Sequence, residues 1–409
     1  MPDLQAYRMR REAAVGEVFY RNQLADPGQR EKYFPQGDET AEMYAQMPKI
    51  AVPITSSIVD RMTGQLYRTV KIEMGNDADQ RVWDEVADRS DFDNLGPNTI
   101  GWSLVGGNYM VVIRSPKPRE VTLEPWKGQY LFRTDGTMGY EYVLKKSTGE
   151  AMPIFTDADL GSDSQKVRQE FYTNGTLMQV GNGEPQFLKH NFGFIPAVWF
   201  YAPDREPKSL YAEPYPNRFK NLVVEFCQVF SQASASIKIF QNLWVNKGDP
   251  PPKGKEFRIA PNRVYSVGVD GDLYQALRAL TLEPEWGHLE MLTRQITAAA
   301  SVPTYYTGLE QFGKIESGYA LEIMFQPLQE IMGRIRSQML KKFRLLVERS
   351  VMIAKGSLNV PEVNISIAES FMPSDIDKEL LRIQMLADRG VLDAEEERTM
   401  SRALIGLEA

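Results

Sequence analysis

The sequence predicts an α+β fold, and three observations carry that expectation. Residues 108–205 are rich in short β-type runs, such as Tyr109-Met110-Val111-Val112-Ile113 and Ala197-Val198-Trp199-Phe200-Tyr201. Turn clusters such as Thr134-Asp135-Gly136-Thr137 part these runs, which points to small antiparallel sheets. After Ser317 a helical pattern runs for about 35–40 residues, against roughly 10–14 for an ordinary globular helix.

The elements follow in order. Residues 1–48 read as helix and loop, charged and broken at Asp26-Pro27-Gly28. Pro53 to Gly64 reads as a helix, with Thr55 or Ser56 as its cap and Gly64 near its end. Leu66 to Met74 alternates like a strand. Residues 78–107 look helical with an interruption at Gly96-Pro97, the second piece running from Asn98 to Gly106. Beyond the β-rich stretch, which also holds runs at 130–132, 140–144 and 169–172, residues 215–244 return to helix, with small residues at the centre. Lys247-Gly248-Asp249-Pro250-Pro251-Pro252-Lys253-Gly254-Lys255 breaks that helix and should protrude as a stiff, extended loop. Two strand-like runs, Glu256 to Ile259 and Arg263 to Val267, lead to a turn at Val269-Asp270-Gly271-Asp272.

Helix resumes at Pro284, a good first-turn residue, and runs to Ser301. A loop, 302–316, precedes the long helix, which Ser317 can cap, Pro327 should kink and Gly356 ends. Its apolar positions, among them Ile323, Leu328, Ile331, Met332, Ile335, Met339, Phe343, Leu346 and Val347, recur every three or four residues and form one buried stripe. Its remaining face carries Arg334, Arg336, Lys341, Lys342, Arg344 and Arg349. That face is either solvated, or turned toward an acidic neighbour or DNA. Val363 to Ile367 alternates like a strand, and two helices, at 374–389 and 393–405, close the chain.

Composition narrows the function. The chain has 409 residues, enough for two or three domains. No long apolar window suggests a transmembrane helix, and the charged N-terminal stretch is unlike a secretory signal. Cys227 is the single cysteine, so no disulfide framework is expected and a reducing cytoplasm fits. The formal net charge of −7 argues against tight binding of DNA phosphates, though not against a surface past which DNA slides. His190 and His288 are the two histidines, and neither has a partner at metal-ligand spacing. There is no G-x-x-x-x-G-K-[ST], no G-x-S-x-G and no H-E-x-x-H. Gly268-Val269-Asp270-Gly271-Asp272 opens no helix, and the acidic pairs Asp91/Asp93 and Asp157/Asp159 read as solvated loop residues. No catalytic residue, metal or cofactor is expected.

The ordered set of pieces resembles the portal proteins of tailed bacteriophages, of siphophage type. Pro53 to Gly64 leads into a strand; Gly106-Gly107-Asn108-Tyr109-Met110-Val111 enters another. From Ile296 to Ala320 a helix ends in Ser301-Val302-Pro303, a loop carries Phe312-Gly313, and Ser317-Gly318-Tyr319-Ala320 opens the long helix. The tail from Pro373 to Leu392 resembles the family's closing helices. The resemblance implies a dodecameric ring at one capsid vertex, a head–tail connector for packaging and ejecting double-stranded DNA. Its wing would be 1–214 with 317–372, its stem helices 215–244 and 284–301, its clip 245–283, its tunnel loop 302–316 and its crown 373–409.

Carried onto this chain, Glu310, Gln311, Phe312 and Lys314 would face DNA from the loop. Lys238 and Arg294 would form a weak basic belt in the stem. Lys247, Asp249, Lys253 and Lys255 of the clip would meet the terminase large subunit and then a head–tail adaptor. Major capsid and scaffolding proteins would be further partners, with no membrane; the location would be the virion, and the host cytoplasm during assembly. The alternatives are a packaging enzyme acting on nucleic acid and another minor capsid protein.

Overall fold

The computed structural model describes residues 2–34, 48–67, 70–117, 119–127, 131–134, 137–148, 151–152, 164–203, 209–241, 244–247, 272–275, 283–307 and 318–366. The first helices are α1 (Pro2–Tyr20), α2 (Pro27–Tyr33), α3 (Ile54–Tyr67), α4 (Asp77–Arg89) and α5 (Phe92–Gly106). The expected break at Asp26-Pro27-Gly28 is a helix start. Pro27 takes the first helical position, where a missing N–H is harmless. α3 begins at Ile54, ahead of the expected caps. The Ser56 and Ser57 hydroxyls donate to the Pro53 carbonyl at 3.1 and 2.9 Å instead of accepting from the backbone. The helix also passes through Gly64, so Leu66 and Tyr67 are helical and the strand starts only at Lys71.

α4 is capped as its chemistry asks: Asn76 Oδ1 accepts from the Asp79 N–H at 2.9 Å, with Asp77 and Asp79 in the first turn. The interruption expected at Gly96-Pro97 falls earlier, at Ser90-Asp91, where Asp91 takes φ 49°. α5 runs on through Pro97. Gly96 serves packing, because a Cβ there would stand 2.1 Å from the Tyr67 ring.

The strands are β1 (Lys71–Met74), β2 (Asn108–Lys117), β3 (Glu120–Lys127), β4 (Leu131–Thr134), β5 (Thr137–Lys145), β6 (Ala151–Met152), β7 (Ser164–Phe171), β8 (Gly175–Val180), β9 (Gln186–Lys189) and β10 (Ala197–Tyr201). β10, β2 and β3 form one antiparallel sheet, and β4-β5-β7-β8-β9 with β6 on β5 form another. The Thr134/Thr137 pair closes the β4–β5 hairpin at the predicted Asp-Gly turn.

β2 shows no alternation: Asn108 to Ile113 are all buried. Both of its faces are covered. Tyr109, Val111 and Ile113 join a helical core with Ile58, Met62 and Phe343. Met110 and Val112 join a second core with Tyr140, Val167 and Trp199 of the strand layers. The three-stranded sheet is thus a wall shared by two cores. Gly106-Gly107-Asn108 builds its entry. Gly107 takes φ +75°, and a Cβ there would meet the Ala212 carbonyl at 2.4 Å. Asn108 then accepts from Trp199 Nε1 at 3.2 Å and from the Ala212 N–H at 3.1 Å, and donates to the Ala212 carbonyl at 3.0 Å.

The later elements are α6 (Lys220–Gln241), β11 (Trp244–Lys247), β12 (Asp272–Gln275), α7 (Glu283–Ala300), α8 (Gly318–Lys355) and β13 (Val363–Ser366). α8 has 38 residues with Pro327 inside it. Its stripe from Phe325 through Leu328, Ile331, Met332, Ile335, Met339, Phe343, Leu346 and Val347 is fully buried in the helical core. Gly356 ends it with φ +63°. β13 pairs antiparallel with β1, Met74 opposite Val363, tying the early chain to the end of the described residues. The two expected strands at 256–259 and 263–267 and the two closing helices lie outside the described residues.

Candidate channel stem and its flanking segments

α6 and α7 form an antiparallel pair. Tyr215, in a single 3-10 turn just before α6, donates its hydroxyl to the Ala300 carbonyl at the far end of α7. One helical stretch on, His288 Nε2 lies 3.3 Å from Glu225 Oε1. Rising positions on α6 therefore meet falling positions on α7. Val223, Phe226 and Cys227 on one side and Leu289, Leu292 and Ile296 on the other are buried in the helical core. Burial pushes the Cys227 thiol up from its usual value, away from thiolate reactivity. Thr293 and Thr297 are buried, and their hydroxyls donate back to the Leu289 and Thr293 carbonyls at 2.8 and 3.0 Å, so α7 buries them without loose polar groups.

At its far end the pair continues into a two-stranded ladder. β11 follows α6 by two residues and pairs antiparallel with β12, Trp244 opposite Gln275 and Lys247 opposite Asp272. Lys247, expected in the breaker, is the last residue of β11. Asp272, expected in a turn, is the first of β12. Asp249, Lys253 and Lys255 lie outside the described residues.

The near end of α7 is fixed to the helical body. Ser301 takes φ 53°, and Val302 is buried. A 3-10 turn, Thr304–Thr307, follows. Within it Tyr306 is buried and donates its hydroxyl to Gln65 Oε1 of α3 at 2.5 Å. The loop of 302–316 thus leaves from a root pinned to α3, and α8 begins at Gly318. Glu310, Gln311, Phe312 and Lys314 lie outside the described residues.

Of the two expected belt residues, Arg294 projects from α7 and is well exposed. It is already paired with Glu290 at 2.6 Å one turn back, so the pair presents little net charge. Lys238 stands near the end of α6. The basic face read on α8 is partly consumed inside the protein. Arg349 is largely buried; its guanidinium donates to the Ile195 and Ala197 carbonyls at 2.9 and 2.7 Å and lies 5.3 Å from the Phe194 ring centre. Lys342 Nζ lies 5.1 Å from the Tyr201 ring centre. Lys355 bonds Asp79 at 2.5 Å.

Sequence reasoning missed these packing cations. Their signal, a cation at helical spacing beside the apolar stripe, is the same as that of a solvated residue. It also missed Tyr215 and Tyr306, whose aromatic rings read as core while their hydroxyls fix the stem.

Among the described residues no group of three or more His, Cys, Asp or Glu side chains is placed to hold a metal ion. None of their helices is long and apolar enough to cross a membrane. His190 stacks on Phe192 at 4.5 Å, and burial lowers its pKa.

No protein-family model and no curated protein matches the chain. Solved structures do share its outline. A chain in the neck of a native gene transfer agent (GTA) particle, computed with C12 symmetry, is 14% identical with a TM-score of 0.44, over 87% of this chain and 90% of that one. A chain of the virion of the native particle is 13% identical with a TM-score of 0.45, over 87% and 90%. A chain of the neck of the empty particle, computed with C6 symmetry, is 12% identical with a TM-score of 0.44, over 91% and 94%.

Proposed function

We propose that the chain is the subunit of a portal, a ring-shaped head–tail connector through which a tailed-phage-like particle packages and releases double-stranded DNA. The observation that carries the reading is the order α6, β11, β12, α7: an antiparallel helix pair, rooted in the body by Tyr215, whose far end continues into a strand pair. That is the build of a stem with a clip at its tip. The sequence resemblance adds the wing at 1–214 with 317–372, the tunnel loop at 302–316 and the crown at 373–409.

In a ring every side chain is repeated by symmetry, so one channel-facing charge becomes a belt. A wall through which DNA slides must avoid many simultaneous phosphate contacts. The self-neutralised Arg294–Glu290 pair and the net charge of −7 suit that demand. The clip is the surface for terminase and later for an adaptor. No residue is assigned a catalytic role.

The test is assembly and packaging. Native mass spectrometry and electron microscopy of the purified chain should show a closed ring of about a dozen copies with a central hole. Deleting 308–314, or replacing Phe312 with Gly, should leave the ring intact and impair DNA packaging or retention. A monomer that hydrolyses ATP or cuts DNA would sink the portal reading.

A further inference from the structure

We infer that neighbouring copies join through an aromatic knob on α7 and a basic cleft beside α6. This rests on the ring reading above and names the surfaces that would close the ring.

The knob is Trp286, 57% exposed, with Glu283 and Glu290 beside it. Spacings of three and four residues place all three on one helical face. An indole left that far in water is an unusual residue to expose, and tryptophan is enriched at the centres of protein interfaces. The cleft lies between α1, α2 and α6 and has a volume of about 700 Å³. Arg11, Lys32 and Lys220 line it, with one carboxylate, Glu12. Its apolar walls are Val15, Phe19 and Val224. Tyr33, 8% exposed, also lines it, and its hydroxyl has no hydrogen-bond partner. Three cations against one anion, on a chain of net charge −7, select an acidic visitor. An aromatic side chain between two carboxylates fits both the charge and the apolar walls.

The geometry favours a second copy as that visitor. His288 faces α6 through Glu225. Trp286, two residues earlier on the helix, points to the opposite side, away from α6. The cleft lies on the other flank of the pair, where Gln228 of α6 donates to the Tyr33 carbonyl of α2 at 2.6 Å. Knob and cleft thus sit on opposite sides of the two-helix layer. They cannot mate within one chain, and a contact between them is head-to-tail. Their heights also agree: with His288 opposite Glu225, Glu290 falls opposite Val223, between Lys220 and Val224 of the cleft wall. A head-to-tail contact with little rise along the stem closes into a ring instead of winding into a filament.

The experiment measures assembly of the full chain by native mass spectrometry across a concentration series, with circular dichroism as the check on folding. Trp286→Ala, Glu290→Lys and Lys32→Glu should each raise the concentration for half-assembly about tenfold or more. Combining Glu283→Lys and Glu290→Lys with Arg11→Glu and Lys32→Glu should restore assembly toward wild type. If Trp286→Ala disturbs the fold, the charge swap decides, since these four side chains are solvent-exposed in the single chain. Variants that assemble like wild type, or a swap that restores nothing, overturn this interface and leave the ring reading standing. A wild-type chain that stays monomeric at every concentration overturns the ring reading itself.

Discussion

Asn108 offers the sharpest test of how the Gly-Gly-Asn entry works. The side chain is buried and satisfies three other buried groups: Trp199 Nε1 and both backbone groups of Ala212. Asn108→Ala removes one residue's amide and strands all three. Each buried group left unpaired costs about 1–3 kcal/mol. Relaxation of the 209–212 segment should recover part of this, so the expected loss is about 3–5 kcal/mol, at the upper end of single substitutions. Trp199 is one of the three partners, so urea unfolding followed by tryptophan fluorescence reports directly on the site. A loss below about 1 kcal/mol would refute the claim that Asn108 satisfies these groups, since that is the scale of an ordinary surface change.

Asn108→Asp separates the polarity of the site from its shape. The carboxylate still accepts from Trp199 and Ala212, but it also faces the Ala212 carbonyl with no proton to donate. The protonated acid can donate, so the folded-state pKa of the new group lies above the unfolded value of about 3.9. A raised acid pKa means the variant is least impaired below that value and loses stability as pH rises through the folded pKa. A variant equally stable at pH 4 and pH 8 would contradict the donor role of the amide.

Two further outcomes follow from packed charges. Arg349→Leu should destabilise the chain by about 1–3 kcal/mol, read as a shift in urea midpoint, because it strips a donor from the Ile195 and Ala197 carbonyls; Arg344→Leu, on the exposed part of the same helix, should change little. Asp79 is held below the usual carboxylate value by its bonds to Lys355 and then Asn76, so its contribution is present above about pH 4 and is lost as pH falls; Asp79→Asn should flatten that acid limb of a thermal-melt series, and an unchanged limb would mean another group sets it.

The long helix and the stem were legible because their signals are local and periodic. Leu328, Ile331, Ile335 and Met339 repeat at helical spacing, and such a stripe can be buried on only one side. Boundaries were less legible. Gly64 and Pro97 read as stops, yet both lie inside helices whose packing outweighs their intrinsic penalty. β3, β8 and β9 went unread because their sequences are polar and mixed; register with β2 and β7 makes them strands. Of the cleft, Arg11, Lys32 and Lys220 are separated by more than two hundred positions, and nothing in their local patterns marks them as neighbours.

The placement of charge makes the stem, not the long helix, the place to look for contact with DNA. A cation that donates to backbone carbonyls, as Arg349 does, cannot also hold a phosphate without leaving those carbonyls unpaired in the interior. Lys355, bonded to buried Asp79, is committed in the same way. The basic residues of α8 are therefore poor evidence for a DNA-gripping surface, whatever their number. On α7 the exposed cation comes with its own counter-charge, Glu290, one turn away. Around a ring that arrangement gives a wall of alternating sign, on which a phosphate finds neither a deep well nor a high barrier. Breaking it should show the difference. Glu290→Gln would unmask one positive charge per copy, and the salt dependence of any DNA retention by the ring should steepen accordingly. If retention and its salt slope stay as in wild type, Arg294 does not face the channel.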